Sequence, residues 1–247
     1  MKQIISIENM EIKSVAALKD SKERYAQGKF IAEGIRTVST MVQKGMLPFM
    51  LYATEKLMPQ AQELVADDHI TLVSEQVLKK ISQTTSPSGI LAVFAIPKAL
   101  APHTITPGLV LANISDPGNM GTLIRTCAAM NIKSLVVVEG VDPYNPKVIQ
   151  ASAGTIAHVN IFSWDWQEVL ENKKQLKLYA LVVDGGKNPQ TINKEFALLV
   201  IGSEAHGIPE QWLADCDERI TIPMAGNTES LNAAVAGSIA AYEVFGK

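Results

Sequence analysis

The chain has 247 residues, of which 47% are hydrophobic and 19% are charged, and its formal net charge is −3. The high hydrophobic fraction and small net charge exclude a disordered protein, and the longest apolar runs are far too short to span a membrane. No signal peptide is evident at the start. The two cysteines lack the spacing of a metal site or a disulfide, and this favours a reducing cytoplasm. The slight acidity argues against a protein that binds nucleic acid over its whole surface.

The first half of the chain is predicted to mix helices and strands. Apolar residues at helical spacing predict helices over 14–27 and 30–44, the second ending at Gly45. Shorter elements follow, as far as the strand after the turn-rich segment SPSG. The predicted strands are 48–53, 70–73 and 90–96, and the predicted helices are 58–66 and 75–81.

Positive charge is concentrated in this first half. Residues 1–98 carry 12 Lys and Arg against 10 Asp and Glu, whereas residues 99–247 carry 10 against 15. In segment 13–36, six basic residues stand against three acidic ones, which fits either the solvated face of a helix or a surface that binds nucleic acid. The candidates for a nucleic-acid contact are Lys22, Arg24, Lys29 and Arg36.

A proline-rich stretch separates the two halves. Pro97, Pro102 and Pro107 fix φ and remove backbone donors, so the stretch is predicted to be extended. We place a first domain at 1–97, a linker at 98–106 and a second domain at 107–247.

The second half alternates strands and helices. Runs such as LVVV and ALLVI are continuously apolar, which indicates strands covered on both faces and therefore a mostly parallel sheet in an α/β domain. The predicted strands are 108–114, 134–139, 159–162, 177–184, 197–202 and 219–223, and the predicted helices are 122–131, 146–153, 166–175, 209–213 and 230–245.

Ligands of open α/β sheets bind where strands end, so the segments after three strands are candidates for chemistry. After strand 108–114, the pattern N-x-x-D-x-x-N-x-G-x-x-x-R places amides in a turn and Arg125 one turn into a helix. An arginine there suits a phosphate or a carboxylate, and the alternative is an asparagine cap with a structural salt bridge. The residues of this N-x-x-D-x-x-N-x-G-x-x-x-R pattern are Asn113, Asp116, Asn119, Gly121 and Arg125.

The two other strand ends also carry polar residues. Gly202 and Gly207 bracket Glu204, which could bind a hydroxyl or a cation, pair with Arg125, or simply precede a helix; His206 beside it is interpreted as a surface residue. After strand 219–223, Thr228 or Ser230 can cap the last helix, and Ser230 and Asn232 lie at its start. That helix is rich in small residues, which predicts that it is buried or lies in a subunit interface. Neither G-x-G-x-x-G nor a phosphate loop is found, which disfavours a nucleotide-dependent dehydrogenase.

Three segments, in their order along the chain, resemble the motifs of the SpoU/TrmH family, the RNA ribose 2′-O-methyltransferases of the SPOUT superfamily. They are NISDPGNMGTLIRT, LLVIGSEAHGIP and ITIPMAGNTESLNAAVAGSIAAYE, and the resemblance covers residues 107–247. KFIAEGIRTV and TTSPSGILAVF are similar to the substrate-binding domain that many members carry.

The resemblance implies an α/β fold with a SPOUT α/β-knot domain, in which the chain forms a deep trefoil knot, after a smaller α/β domain related to RNA-binding ribosomal proteins. It further implies a homodimer, S-adenosylmethionine as the cofactor, and an RNA substrate, ribosomal in preference to transfer RNA. A non-catalytic RNA-binding or ribosome-associated protein with the same fold is the alternative.

The family's site residues can be carried onto this sequence. The resemblance implies catalytic roles for Asn119, Arg125, Glu204, Ser230 and Asn232, and cofactor contacts near Gly202, Ile222, Met224, Gly226 and Leu231. The second motif often has Asn where this chain has Ser203, which leaves the role of that residue open. The family proposal makes the arginine a general base, but a guanidinium keeps its proton at neutral pH. We therefore expect Arg125 to contact the phosphate or 2′-oxygen of the target nucleotide, with an RNA phosphate relaying the proton.

Overall fold

The computed structural model describes residues 2–226 and 230–246. Backbone contacts divide the chain into two compact units. The first contains residues 1–98 together with 144–157, and the second contains 99–143 and 158–247. A short segment from the second half of the sequence therefore belongs to the first unit.

The first unit is built on a five-stranded mixed sheet with the strand order β1-β4-β3-β5-β2. The strand β5 runs antiparallel to both of its neighbours, whereas β1, β3 and β4 are parallel. Its elements are β1 (Lys2–Ile4), α1 (Met10–Ala17), α2 (Ser21–Gln27), β2 (Lys29–Glu33), α3 (Ile35–Gln43), β3 (Met50–Ala53), α4 (Met58–Leu64), β4 (Ile70–Val73), α5 (Glu75–Ile81) and β5 (Ile90–Ala95).

Two predicted helices of this unit need correction. The helix predicted over 14–27 is two helices, because Asp20 caps α2 by accepting hydrogen bonds from the N–H groups of Lys22 and Glu23. Residues 30–33 of the helix predicted over 30–44 belong to the strand β2, which pairs with β5 and is followed by Gly34, whose φ is 91°. β1 was not predicted at all.

The second unit contains a six-stranded sheet whose paired strands are all parallel, in the order β11-β9-β10-β6-β7-β8. Every residue of β6 and β7 is buried, which agrees with strands covered on both faces. The elements that follow the first unit's strands are β6 (Gly108–Ala112), α6 (Pro117–Ala129), β7 (Ser134–Val138), α7 (Pro146–Ala151), β8 (Asn160–Trp164), α8 (Trp166–Asn172), β9 (Lys177–Leu181), β10 (Ala197–Gly202), α9 (Glu210–Ala214), β11 (Glu218–Ile220) and α10 (Ala233–Phe245).

The order of this sheet creates a crevice for a ligand. The chain leaves β6 toward β7 and β8, then crosses to the other side, so that β10 lies between β9 and β6. A reversal of this kind opens a crevice at the carboxyl ends of the strands. The loops after β6, β9, β10 and β11 are therefore the place to look for a site.

The helix α7 packs into the first unit, not the second. Val148 and Ile149 on α7 are fully buried, and the ring of Tyr144 lies 5.2 Å from that of Phe30 in β2. Residues 144–157 thus complete the hydrophobic core of the first unit. Within the described residues, no helix has the length and apolar character needed to cross a membrane.

Candidate active site

A cavity of about 270 Å³ lies in the second unit at the carboxyl ends of β9 and β10 and beside the start of α10. Its walls come from four separate segments of the chain, which the parallel sheet brings to one edge. Apolar side chains form most of the lining, and a few polar groups lie among them. The lining residues are Leu181, Val182, Val183, Ile201, Gly202, Ser203, Glu204, Gly207, Ile222, Met224, Ser230, Leu231, Ala233 and Ala236.

A chain of hydrogen-bonded polar side chains lies at this edge of the sheet. The Asn119 carboxamide donates from Nδ2 to Glu204 Oε1 and accepts at Oδ1 from Asn232 Nδ2, over 3.1 Å. Asn119 therefore connects the first turn of α6, the loop after β10 and the start of α10. Asp116 holds Asn119 in place, since its carboxylate caps α6 by accepting from the Asn119 N–H over 2.8 Å.

The start of α10 is fixed by Asn232, because its Oδ1 accepts from the N–H groups of Ala234 and Val235 at 2.9 and 3.2 Å. The prediction that Thr228 or Ser230 caps this helix was wrong for Ser230, whereas Thr228 lies outside the described residues. Ser230 lines the cavity instead.

The loop after β10 closes on itself and presents Glu204 at the cavity. Ser203 and Gly207 exchange two backbone hydrogen bonds, of 3.2 and 2.9 Å. The loop passes so close to Gly202 that a Cβ atom there would lie 2.3 Å from the Gly207 carbonyl carbon, which only glycine avoids. His206 is exposed, as expected of a surface residue.

The structure brings together most of the residues that the sequence singled out. Asn119, Glu204 and Asn232 form one hydrogen-bonded chain, and Glu204 and Ser230 line the cavity. Four of the five predicted cofactor contacts also line it: Gly202, Ile222, Met224 and Leu231.

Two predicted residues belong neither to the cavity lining nor to the hydrogen-bonded chain. Gly226 is exposed and is not part of the lining. Arg125 is exposed on α6, does not line the cavity, and makes no hydrogen bond or ion pair with any residue that the structure describes.

Sequence reasoning missed one wall of the cavity. Leu181 ends β9 and Val182 and Val183 follow it, and β9 is the neighbour of β10 in the sheet. The strand itself was predicted, but its neighbour was not, so nothing connected its carboxyl end to the site. The polar segment DGGKN comes soon after β9, but none of its residues lines the cavity.

Neither Cys127 nor Cys216 is suited to act as a nucleophile. Burial raises the pKa of the Cys127 thiol, and burial with the nearby Asp217 and Asp215 carboxylates raises that of Cys216 to about 12. Both therefore remain protonated thiols at neutral pH and are poor nucleophiles. No group of three or more potential metal ligands occurs among residues 2–226 and 230–246.

One of the predicted RNA contacts in the first unit is wrong. Arg24 is only 1% exposed, and its Nη1 donates to the carbonyl oxygens of Leu18 and Lys19 at 3.0 and 2.9 Å. This guanidinium holds the turn between α1 and α2 and cannot reach a nucleic acid. Lys22 and Arg36 are exposed, and Lys29 is partly exposed.

Comparisons with known proteins agree with this geometry. Residues 107–242 match the model of the SpoU rRNA methylase family, and residues 9–92 match that of an MRM3-like substrate-binding domain. The chain is 29% identical to the 23S rRNA (guanosine(2553)-2′-O)-methyltransferase of Bacillus subtilis, and the match covers 100% of both chains.

Two solved structures are similar over almost the whole chain. A crystal structure of an RNA 2′-O ribose methyltransferase is 30% identical with a TM-score of 0.81, covering 98% of this chain and 97% of that one. An AdoMet-bound rRNA methyltransferase from Sinorhizobium meliloti is 25% identical with a TM-score of 0.86, with the same coverage.

Proposed function

The chain belongs to the SpoU rRNA methylase family. Starting from this membership, we propose how its own residues carry out methyl transfer. It is an S-adenosylmethionine-dependent RNA methyltransferase that acts on a ribose 2′-hydroxyl. Its fold is the predicted one, a SPOUT α/β-knot domain with a mostly parallel sheet after a smaller α/β domain. The roles of individual residues, the dimer and the RNA target are the proposal.

The cavity of the second unit fits S-adenosylmethionine. Apolar walls suit the adenine ring and the methionine chain, and Ser203, Glu204 and Ser230 offer hydrogen-bonding groups. Within the described part of the chain, no hydrogen bond uses the backbone N–H or C=O of Ile222, Met224 or Leu231, so these groups are free to bind a ligand. We assign Ile222, Met224 and Leu231, with Gly202, to cofactor binding. Gly226 contributes only as part of the loop that contains Met224.

Bound in this cavity, S-adenosylmethionine supplies a methyl group on a sulfonium centre that an oxygen nucleophile can attack in line. The protein's part is to align the ribose hydroxyl and to stabilise the charge that develops on it. The Glu204–Asn119–Asn232 chain fixes the Glu204 carboxylate at the cavity, where it can accept a hydrogen bond from a ribose hydroxyl. Ser230 is placed to donate or accept beside it.

Arg125 is assigned to the RNA. A guanidinium keeps its proton at neutral pH, so it binds the phosphate or 2′-oxygen of the target nucleotide and does not act as the base. The hydroxyl proton then passes to an RNA phosphate. Its exposure and lack of a partner in the described residues leave the guanidinium available for this contact.

A homodimer would explain why Arg125 does not line its own cavity. Val235, Ile239 and Tyr242 form an apolar stripe on α10 and are 47%, 36% and 49% exposed. Leu231, at the cavity, continues this exposed apolar surface. In the proposed dimer the α10 stripes are covered and Arg125 of one protomer completes the site of its partner.

The RNA substrate is proposed to be ribosomal, as in the named relative from Bacillus subtilis. Residues 1–97 are assigned to RNA binding, 98–106 to a linker and 107–247 to methyl transfer, with residues 144–157 adding to the first unit's core. A ribosomal substrate and two free cysteines suit the cytoplasm.

The observation that carries the proposal is the cavity beside the Glu204–Asn119–Asn232 chain, and calorimetry with S-adenosylmethionine tests it. Leu231→Ala removes an exposed apolar wall and should weaken binding about tenfold, since burying such a side chain contributes roughly 1.5–3 kcal/mol. Arg125→Ala should leave binding unchanged and abolish methylation. Lys133→Ala, an exposed substitution just past α6, is the control for both. A wild-type protein that binds RNA but shows no heat with S-adenosylmethionine would instead be the non-catalytic RNA-binding protein.

A further inference from the structure

A second cavity, of about 300 Å³, lies in the first unit beside α1, α2 and the starts of β2 and β3. Its floor is apolar, since Val15, Leu18 and Val93 are all less than 7% exposed. Its mouth is lined by polar and aromatic side chains, among them Gln27, Lys29 and Phe49. An apolar floor with a few convergent polar groups is the usual form of a site for a small flat ligand.

Phe49 presents an aromatic surface at this mouth. Its side chain is 52% exposed, although its backbone is fixed by a hydrogen bond of 2.8 Å from its N–H to the Val93 carbonyl. The Lys29 ammonium lies 4.7 Å from the centre of the ring, a cation–π contact that holds a positive charge beside the aromatic surface. An exposed ring with a cation beside it suits a group that is both planar and anionic.

The polar side chains around the cavity are already oriented. The Tyr52 hydroxyl donates to Glu11 over 2.8 Å, and Glu11 is also paired with Lys2. Gln27 accepts from the Ser14 hydroxyl over 2.9 Å, which fixes its carboxamide at the rim. These groups form a rigid hydrogen-bonding edge over the apolar floor.

Two lysines near this cavity have no carboxylate partner among the described residues. Lys29 lines it, and Lys22 is exposed on α2, the helix that supplies Gln27. Neither lysine has an ion pair with any residue in the described part of the chain. The Glu23 carboxylate accepts a hydrogen bond from Gln27 Nε2 over 3.4 Å. Among the acidic residues in these contacts, it alone has no ion pair within the described residues.

We propose that this cavity binds an unpaired nucleotide of the RNA substrate, with its base against Phe49 and its phosphate on Lys29. The proposal rests on the proposed function, since it takes the substrate to be RNA. Only an unpaired base can turn a face toward an aromatic ring and an edge toward Gln27, so the site selects a loop or bulge over a duplex. The first unit would then choose the RNA by its single-stranded element, and Lys29, but not the buried Arg24, would be part of the basic surface predicted from the sequence.

The test compares two RNAs that share a sequence, a stem–loop with an unpaired loop and the same strand fully paired with its complement. Phe49→Leu keeps an apolar side chain but removes the ring. It should weaken stem–loop binding about tenfold by fluorescence anisotropy, the scale of one base stacked on an aromatic ring, and leave duplex binding unchanged. Phe49→Tyr should retain wild-type affinity. Leu47→Ala, which changes a side chain that is 75% exposed two residues earlier, is the matched control.

Two further readouts separate this site from a structural role and from the methyltransfer site. In the Phe49→Leu variant, the KM for stem–loop RNA should rise about tenfold while kcat and the affinity for S-adenosylmethionine stay unchanged. 2-Aminopurine in the loop should lose fluorescence on binding the wild-type protein and less on binding Phe49→Leu. Unchanged stem–loop affinity in Phe49→Leu, or an equal loss for stem–loop and duplex, would overturn the base-binding site. Failure of the wild type to bind S-adenosylmethionine would instead contradict the proposed function, while the RNA affinities would still decide this inference.

Discussion

Asn119 is the residue on which the geometry of the proposed active site depends most. One carboxamide uses its donor for Glu204 and its acceptor for Asn232, so it positions a charged group from one segment and a helix cap from another. Both ends of the amide are used, so we expect that neither an aspartate nor a hydrophobic residue of similar size can replace it.

Asn119→Asp tests this role. The change removes the donor and places a second carboxylate against Glu204, so the cluster must rearrange or separate. We expect kcat for methylation to fall at least about tenfold, because a hydrogen bond to a charged group contributes roughly 1.5–3 kcal/mol. The Asp116 cap uses the backbone N–H of this residue and survives, so the midpoint of thermal unfolding should change little.

The control is Asn160→Asp, at an exposed residue of β8. It makes the same chemical change away from the site and should retain full activity. Normal turnover in Asn119→Asp would remove Asn119 from the mechanism.

The sequence predicted which residues form this cluster, but it did not predict which charged residues are buried. Asn119, Glu204 and Asn232 could be predicted because each follows a recognisable strand. Arg24 could not be distinguished from Lys22, because both belong to one basic segment and burial depends on how α1 and α2 meet. The carbonyl groups of Leu18 and Lys19 come into reach only once the chain turns there.

At the scale of elements, spacing predicted the second half better than the first. Alternating strands and helices in a parallel sheet are separated by clear turns, and the predicted strands and helices recur with ends shifted by three residues or fewer, except at α6. This helix begins at Pro117, five residues before its predicted start, so the segment interpreted as a turn forms its first turn. In β2, three consecutive buried apolar residues, Phe30 to Ala32, continue into the apolar spacing of α3. A short apolar run of this kind fits a helix or a strand equally well, and pairing with the distant β5 decides between them.

The packing of residues 144–157 against α3 can be tested at a glycine. At Gly154, φ is +80° and an added Cβ would lie 2.4 Å from the Thr37 carbonyl oxygen of α3. At Gly45, φ is +88° but nothing lies within 4 Å. Gly45→Ala should lower the free energy of unfolding by about 1–2 kcal/mol from the backbone conformation alone, and Gly154→Ala by roughly a further 1–3 kcal/mol from the clash. Urea unfolding of both variants measures the difference, and equal losses would mean that 144–157 does not pack on α3.

At the scale of the whole molecule, the net charge of −3 conceals two different units. The first 98 residues carry a small excess of positive charge and the remainder an excess of negative charge. The excess is modest, so we attribute RNA selection to shape and to a few contacts more than to long-range attraction. Two copies in a dimer would double the number of RNA contacts on one particle.

The proposed dimer predicts the effect of a charge on the exposed stripe of α10. Ile239→Asp should convert a dimer to a monomer in analytical ultracentrifugation, because a carboxylate would be buried without a partner. Methylation should be lost with the dimer, while circular dichroism stays that of the wild type. Leu47→Asp, on an exposed apolar residue of the first unit, should remain dimeric. A wild-type protein that sediments as a monomer and still methylates RNA would contradict the dimer.

The central claim is that the second unit transfers a methyl group to a ribose 2′-hydroxyl of RNA with the help of Arg125. The most direct measurement incubates the protein with S-adenosylmethionine labelled in its methyl group and with ribosomal RNA from cells lacking the protein, then analyses the digested nucleosides by mass spectrometry. We expect label in a 2′-O-methylnucleoside with the wild type and none with Arg125→Ala, although both proteins bind the cofactor. Label on a base, or equal 2′-O-methylation by the Arg125→Ala variant, would contradict it.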